Sequence, residues 1–390
     1  IQFSEDNDDI ISAYFLGFLG GSIIAPGIIN RVGHVRVFAA LASFISATLI
    51  LYPVLPFFWA WVFLRILIGF CFSGVYVTAE SWLNNSATNQ TRGKILSLYL
   101  IVQMAGLITG QALLNIGEPE GYLLFIIPSV LVSISFAPIL LSVSKGPIFE
   151  ETKKMSFKRL YQASPLGFIG CFIVGAVLSG QFGMAAIYGT QIGLSIKEIS
   201  FFMSSIFVGG LCLQYPIGWI SDRIDRRVLI ISASVLGLLS VCAGLLLWKV
   251  YILLLAVGFF LGGVSNPLYS LLIAYTNDYL DPDDMTAASG GLIFITGLGA
   301  VIGPLFFGWL MFNFGPSGFW LSFVFLFSAI ALYAGFRITQ RQSQFSIEED
   351  DYEPVSYANI GFSSTQVVGE VAQDFYVENI EDASDDNIGN

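Results

Sequence analysis

The amino-acid sequence predicts an all-α membrane protein made of two helical halves with the same orientation. Three observations predict it. Of 390 residues, 55% are hydrophobic and only 12% charged, about half the charge of an ordinary soluble domain. Apolar runs recur along the chain at the length, ~20 residues, that crosses a bilayer. A charged loop pattern occurs twice, half a chain apart: "PGIINRVGHVR" from Pro26 and "GWISDRIDRR" from Gly218.

Eleven spans follow in order: 10–29, 36–55, 57–83, 93–115, 122–143, 164–190, 197–220, 227–248, 250–277, 285–312 and 316–338. Hydrocarbon offers the backbone no partner but itself, so each span is a helix or a strand of a closed barrel. Continuous apolar runs of this length predict helices. Forty glycines fit, because small residues let membrane helices approach closely. Residues 1–143 make a five-helix N-terminal bundle, 144–163 a charged central loop, and 164–340 a six-helix C-terminal bundle. Residues 341–390 form an acidic tail with too little apolar content to fold, expected to be disordered.

Basic residues orient the spans. With alternating sides, fourteen of the 17 Lys and Arg fall on the side of the loop after the first span. Lys197 and Lys249 fall on the other side, and Arg65 lies within a span. That asymmetry marks the cytoplasmic face. It puts the C-terminus in the cytoplasm and the N-terminus of this chain outside. The net charge of −11 belongs to the tail: 12 of the 28 acidic residues lie between Glu348 and Asp386.

The two charged loops align Pro26 with Gly218, Asn30 with Asp222 and Arg31 with Arg223, an offset of 192 (218 against 26). "IGFCFSGVY" from Ile68 and "VGFFLGGVS" from Val257 align at 189 (257 against 68). A duplication of half-chain length follows, and six intervening spans put both loops on one face, a parallel repeat. The first loop follows one span of its half and the second follows two. The leading half is therefore expected to lack one helix before Ile10.

These loops resemble the Gly-x-x-x-Asp-Arg-x-Gly-Arg-Arg signature of the major facilitator superfamily. "RILIGFCFSG" from Arg65 resembles its Arg-x-x-x-Gly signature in helix 4. "AESWLNNSATNQTRGKILSLY" and the stretch from Asn266 to Pro304 are similar to bacterial permeases of the YcaD type. The resemblance covers about 10–340. It implies the major facilitator fold of two six-helix bundles, with 11 of an expected 12 helices present, and alternating access to a central cavity. It also implies a multi-pass protein of the bacterial inner membrane, here expected to be monomeric.

Asp222 sits at the end of its helix where the macrodipole is already negative, so it needs a cation or another helix N-terminus beside it. Arg223 supplies one, and Asp278 is expected as a second acid on Arg223. The resemblance implies that this latch holds one access state. In the first copy the partners are Asn30, Arg31, Glu80 and Arg92, with Asn30 in place of the signature Asp. Positive-inside topology alone is the plainer reading of both loops.

Arg65 costs at least ~2.5 kcal/mol within a span and faces a cavity or a partner, unless it snorkels. Arg65, Gly69, Ser73, Tyr76 and Glu80 share one helix face, which reads as cavity lining. Gln181, Asn266 and Tyr269 complete the expected cavity, with Pro267 loosening the helix beside Asn266. Interhelical hydrogen bonding competes evenly with cavity lining for these polar groups. "GLGAVIGP" from Gly297 and the glutamines Gln103, Gln111 and Gln214 read as helix packing.

The chain has a single histidine, His34, and four scattered cysteines, Cys71, Cys171, Cys212 and Cys242, expected to be buried. No metal site, cofactor or catalytic constellation is expected, no P-loop exists, and nothing suggests nucleic acid as a partner. The expected function is secondary transport of a small solute. With no acid at mid-span, proton coupling would run through Glu80 or an acid on the helix expected before Ile10. A membrane sensor acting through the acidic tail is the alternative.

Overall fold

The structure, a computed structural model, describes residues 7–86, 92–116, 121–141, 156–221, 223–280 and 282–340. The described residues contain helices and no strand. They are α1 (Asn7–Val32), α2 (His34–Val54), α3 (Phe58–Ser86), α4 (Arg92–Leu113), α5 (Leu123–Ser135), α6 (Ala137–Leu141), α7 (Phe157–Ala163), α8 (Pro165–Ser179), α9 (Ala185–Gln191), α10 (Ile196–Ser221), α11 (Arg226–Leu247), α12 (Tyr251–Asn277), α13 (Pro282–Phe314) and α14 (Ser317–Gln340). A π-helical turn, Gly180–Met184, joins α8 to α9 into one long segment. Among the described residues nine segments are long and apolar enough to cross a membrane.

Each expected span coincides with a helix or a run of helices, but among the described residues the fourth and fifth of the eleven hold only the shorter apolar helices Ile101–Leu113 and Leu123–Ser135. The fifth is broken at Phe136, between α5 and α6. Pro138 explains the break, because its ring disfavours helical backbone just before it and removes a donor. The charged segment after α6 ends in helix rather than loop. Ser156 caps α7 by accepting from Arg159 N at 3.3 Å, and Ser164 caps α8 by accepting from Gly167 N at 3.2 Å. Asp225 caps α11, accepting from Arg227 N at 2.9 Å. Gly33 reverses the chain between α1 and α2 in one residue, at a φ of 87° that other residues avoid.

Glycines set the closest helix contacts. Gly17 of α1 lies against the carbonyl of Ile66 on α3, and Gly21 lies against that of Phe70. The register rises on both helices, so α1 and α3 run parallel. In the later helices Gly209 of α10 lies against the Phe259 carbonyl, and Gly262 of α12 against that of Ile206. Gly17 and Gly209 are 192 residues apart, the offset of the charged loops. Gly297, Gly299 and Gly303 of "GLGAVIGP" meet Leu19, the Phe172 carbonyl and Ala176 with Ser179. That motif therefore packs helices.

Buried apolar side chains form two clusters. One runs from Ala25 to Val77 and one from Leu160 to Ala334. Contacts between the leading and trailing helices run along α1 against α13 as far as mid-helix, and also join the later part of α4 to the start of α10. Ile11 sits on Gly183, Leu19 on Gly297, and Leu107 and Ile108 pack on the larger cluster. Ser200 Oγ donates to the Gln111 carbonyl and accepts from Asn115 Nδ2 at 3.1 Å. Of the cysteines, Cys71 and Cys171 are buried and Cys242 is partly covered. Cys212 departs from the expectation: it is exposed on the face of α10 that also bares Leu211, Tyr215 and Trp219, the face an α-helix in lipid turns outward.

Candidate functional site

Three groups of polar side chains stand out against this apolar frame. The first surrounds Arg65 on α3. Its guanidinium carbon lies 5.7 Å from the centroid of the Tyr52 ring on α2. Its Nε is buried without a hydrogen-bond partner, as is the Tyr52 hydroxyl. Trp61 fixes Tyr52 by donating Nε1–H to its carbonyl at 3.1 Å. Tyr14 of α1 packs its carbonyl against Gly69, one turn along α3 from Arg65. Tyr76 is half-buried, with its ring 6.2 Å from Phe18, which in turn lies 6.2 Å from Tyr14. The sequence flagged Arg65 and Tyr76. It missed Tyr14 and Tyr52, since a tyrosine in an apolar run is unremarkable until a cation is found beside it.

The second group centres on Gln181, in the π-helical turn. Its Nε2 donates to Ser265 Oγ at 2.5 Å and to the Leu261 carbonyl at 3.3 Å, both on α12. Ser265 in turn donates to the Leu261 carbonyl at 2.6 Å. Two of the less regular points of the fold thus meet: a π turn on one segment and, on the other, Pro267, which leaves the Gly263 carbonyl without its helical donor. Single π turns inside α-helices recur at functional sites. Asn266 is half-buried, donates to the Gly262 carbonyl of its own helix at 3.1 Å, and faces α10 at Gly210. Tyr269 is 3% exposed and packs in the larger apolar cluster. Ser265 is the member sequence reading missed.

Interhelical hydrogen bonds in membranes are worth ~0.6 kcal/mol on average. Replacing Gln181 with leucine should therefore leave the melting temperature within a few degrees of the parent chain. It should nonetheless lower transport severalfold, because the π turn loses its tie to α12. Thermal denaturation beside uptake measurements checks both halves of that expectation.

The third group is the charged loop after α10. Asp222, and the side chains of Asn30, Glu80 and Arg92, lie outside the described residues. Arg31 is exposed in the last turn of α1. Asp278 pairs with Arg226, not with Arg223 as the sequence suggested. Arg223 instead lies over the Trp219 ring at 3.8 Å and donates to the Trp219 carbonyl at 2.8 Å. The turn Arg223–Asp225 explains the exchange. Asp225 caps α11 and holds Arg227 at 2.7 Å, which leaves Arg226 as the cation turned to the end of α12. Among the described residues, no three His, Cys, Asp or Glu side chains gather as a metal site.

The family model described as Major Facilitator Superfamily matches residues 167–368. The chain belongs to the Major Facilitator Superfamily. A second model, Sugar (and other) transporter, matches residues 7–147 of this facilitator chain. An uncharacterised MFS-type transporter of Enterobacter sp. (strain 638) is 27% identical over 332 residues, 83% of this chain and 84% of the relative. The MFS-type transporter YcaD of Salmonella newport (strain SL254) is 26% identical over 328 residues, 83% and 84% of the two chains. The solved nucleoside transporter NupG superposes with a TM-score of 0.72 at 13% identity, covering 85% of this chain and 91% of its own. A D-xylose-proton symporter gives 0.68 at 13% identity, covering 86% and 88%. The chain is thus a multi-pass, all-helical membrane transporter with the major facilitator fold, and not an enzyme.

Proposed function

We propose that this facilitator moves a small solute by alternating access, as a secondary transporter of a bacterial inner membrane. In this reading 1–143 and 164–340 are two like-oriented bundles, five helices and six, joined by 144–163. Arg65, Tyr76, Gln181, Asn266 and Tyr269 lie on the solute path between them. The loops at Arg31 and Arg223 face the cytoplasm, as do Asn30, Glu80, Arg92, Asp222 and Asp278, and gate it together with Arg226. Proton coupling would draw on Glu80, since the other acids among the described residues, Asp8, Asp9, Glu198, Asp225, Asp278, Asp283 and Asp284, stand at helix ends.

The observation that carries the proposal is the placement of the contacts between leading and trailing helices. Ile11 on Gly183, and Ser200 on Gln111 and Asn115, lie near the ends assigned to the outer face. Helices held together toward the outer face, with the cytoplasmic ends free to part, are what one of the two end states of alternating access requires. The Asn115–Ser200 contact must then open in each cycle.

Cross-linking tests this. With the four native cysteines replaced, Asn115→Cys and Ser200→Cys should form a disulfide that stops uptake into proteoliposomes, and reduction should restore it. Labelled nucleosides and xylose, the cargoes named for the two solved neighbours, and organic anions make the starting panel. Uptake unaffected by a complete cross-link would defeat the proposal. The acidic tail, 341–390, lies outside the described residues. Its deletion should leave uptake intact if the chain is a transporter rather than a sensor.

A further inference from the structure

No anion sits on Arg65 among the described residues. Among the described residues it makes neither an ion pair nor a hydrogen bond, and its Nε is buried. Guanidinium stays charged across the physiological range. Arg65 as a whole is half-buried, and an unpaired cation within a membrane span is costly to hold.

The fold does not demand this cation. At the repeat offset of 189, Arg65 corresponds to Leu254 (254 against 65), which is fully buried in the larger apolar cluster. At the offset of 192, Tyr14 corresponds to Ile206 (206 against 14), 1% exposed. One half of the repeat fills these positions with plain hydrocarbon. The other places a guanidinium there, with a tyrosine beside it.

The surroundings suit an organic ligand. Tyr14, whose carbonyl lies against Gly69 one turn from Arg65, Phe18 and Tyr76 make an aromatic run that leads from Arg65 along α3, and Phe72 extends it, 6.3 Å from Tyr76. The hydroxyl of Tyr52, whose ring lies by Arg65, is buried and unpartnered, as is Ser73 Oγ on α3. A carboxylate matches the planar fork of one guanidinium and can accept from a tyrosine hydroxyl at the same time. Charge balance favours a monoanion, because a dianionic phosphate would leave one charge uncompensated in the bilayer.

We propose that Arg65, Tyr14 and Tyr52 form a recognition site for an organic monocarboxylate whose apolar body lies along Tyr14, Phe18 and Tyr76. This rests on the solute path proposed above and names the class of solute it takes. The carboxylate supplies the counter-charge that none of the described residues gives Arg65, so the site is electrically complete only when loaded.

Benzoate is a suitable probe, with phenyl phosphate and neutral benzamide as its comparators, tested on the purified full chain. Benzoate should raise the melting temperature in a saturable manner, phenyl phosphate less, and benzamide not at all. Arg65→Leu copies the other half of the repeat and should fold, yet bind benzoate at least about tenfold more weakly. Tyr52→Phe keeps the ring and should weaken benzoate binding less, without restoring benzamide. Equal stabilisation by benzoate and benzamide overturns the site, as does benzoate binding unchanged in Arg65→Leu or no benzoate binding at all. Should Arg65→Leu fail to fold, the benzoate–benzamide comparison and Tyr52→Phe still decide. Binding is read without transport, so benzoate binding without any uptake would sink the transport reading alone. Uptake of a neutral solute by a chain indifferent to benzoate would sink only the carboxylate site.

Discussion

Replacing Gly209 and Gly262 with alanine should strip the chain of most of its folded, monodisperse yield, while Gly335→Ala should leave yield unchanged or improved. All three glycines lie inside helices, so the intrinsic propensity gain of alanine, up to ~1 kcal/mol, is common to them. What differs is the space around each. A Cβ on Gly209 would overlap the Phe259 carbonyl and one on Gly262 the Ile206 carbonyl, whereas Gly335 has nothing within 4 Å. Backbone cannot rotate aside as a side chain can. α10 and α12 would have to separate, and with them the Gln214–Ser270 bond at 3.1 Å and the approach of Gly210 to Asn266. Overpacking costs about 1–3 kcal/mol at a site, and two sites on one interface act together. Size-exclusion profiles and thermal melts in detergent give the answer. A double variant as stable as Gly335→Ala would mean that close backbone approach is not what joins these helices. Gly17→Ala, against the Ile66 carbonyl, should do the same to α1 and α3.

Hydrocarbon made most of this fold legible. A bilayer permits few structures, so runs of apolar residues became helices with bounds close to those expected. The exception, the break at Phe136, follows from a proline whose position was visible but whose effect depends on where in the span it falls. Arg65 was legible for the same reason: a permanent charge in an apolar run needs an explanation. Its neighbours were not, because Tyr14 and Tyr52 come from other helices and tyrosine is at home in membranes. Gln181 was visible as a buried amide, but its partner Ser265 was overshadowed by Asn266, the bulkier polar side chain one position along. Asn266 bonds within its own helix. Cys212 misled because an apolar run says that a helix is in the membrane, not which face meets lipid. The charged loop was obvious, but its pairing was not. Three arginines lie within five residues, and only the turn and the Asp225 cap determine which one faces α12.

That pairing makes the last prediction the sharpest for gating. Arg226 stands at the N-terminus of α11 and Asp278 at the C-terminus of α12. Each charge sits at the wrong pole of its own helix, an unfavourable arrangement of about 0.3–1 kcal/mol for each at an exposed end. Together they offset that cost, and Arg226 also reaches Ser221 Oγ at 3.4 Å. Asp278→Arg should therefore destabilise the chain, since it sets two cations against one another at the start of α11. Adding Arg226→Asp restores an ion pair with each charge now at its favoured pole. The double variant should melt at or above the parent temperature. If stability were the reason for the pair, selection had a better arrangement within reach by exchanging two side chains. If the pair gates the cytoplasmic face as proposed, the native polarity keeps the contact weak enough to break. Uptake by the double variant should consequently stay below the parent rate even though the protein is at least as stable, because the state holding the pair becomes too deep a well. Recovery of both stability and full transport would reduce the pair to a structural tie. Failure of the exchange to rescue the single variant would show that Asp278 acts through some other group than Arg226.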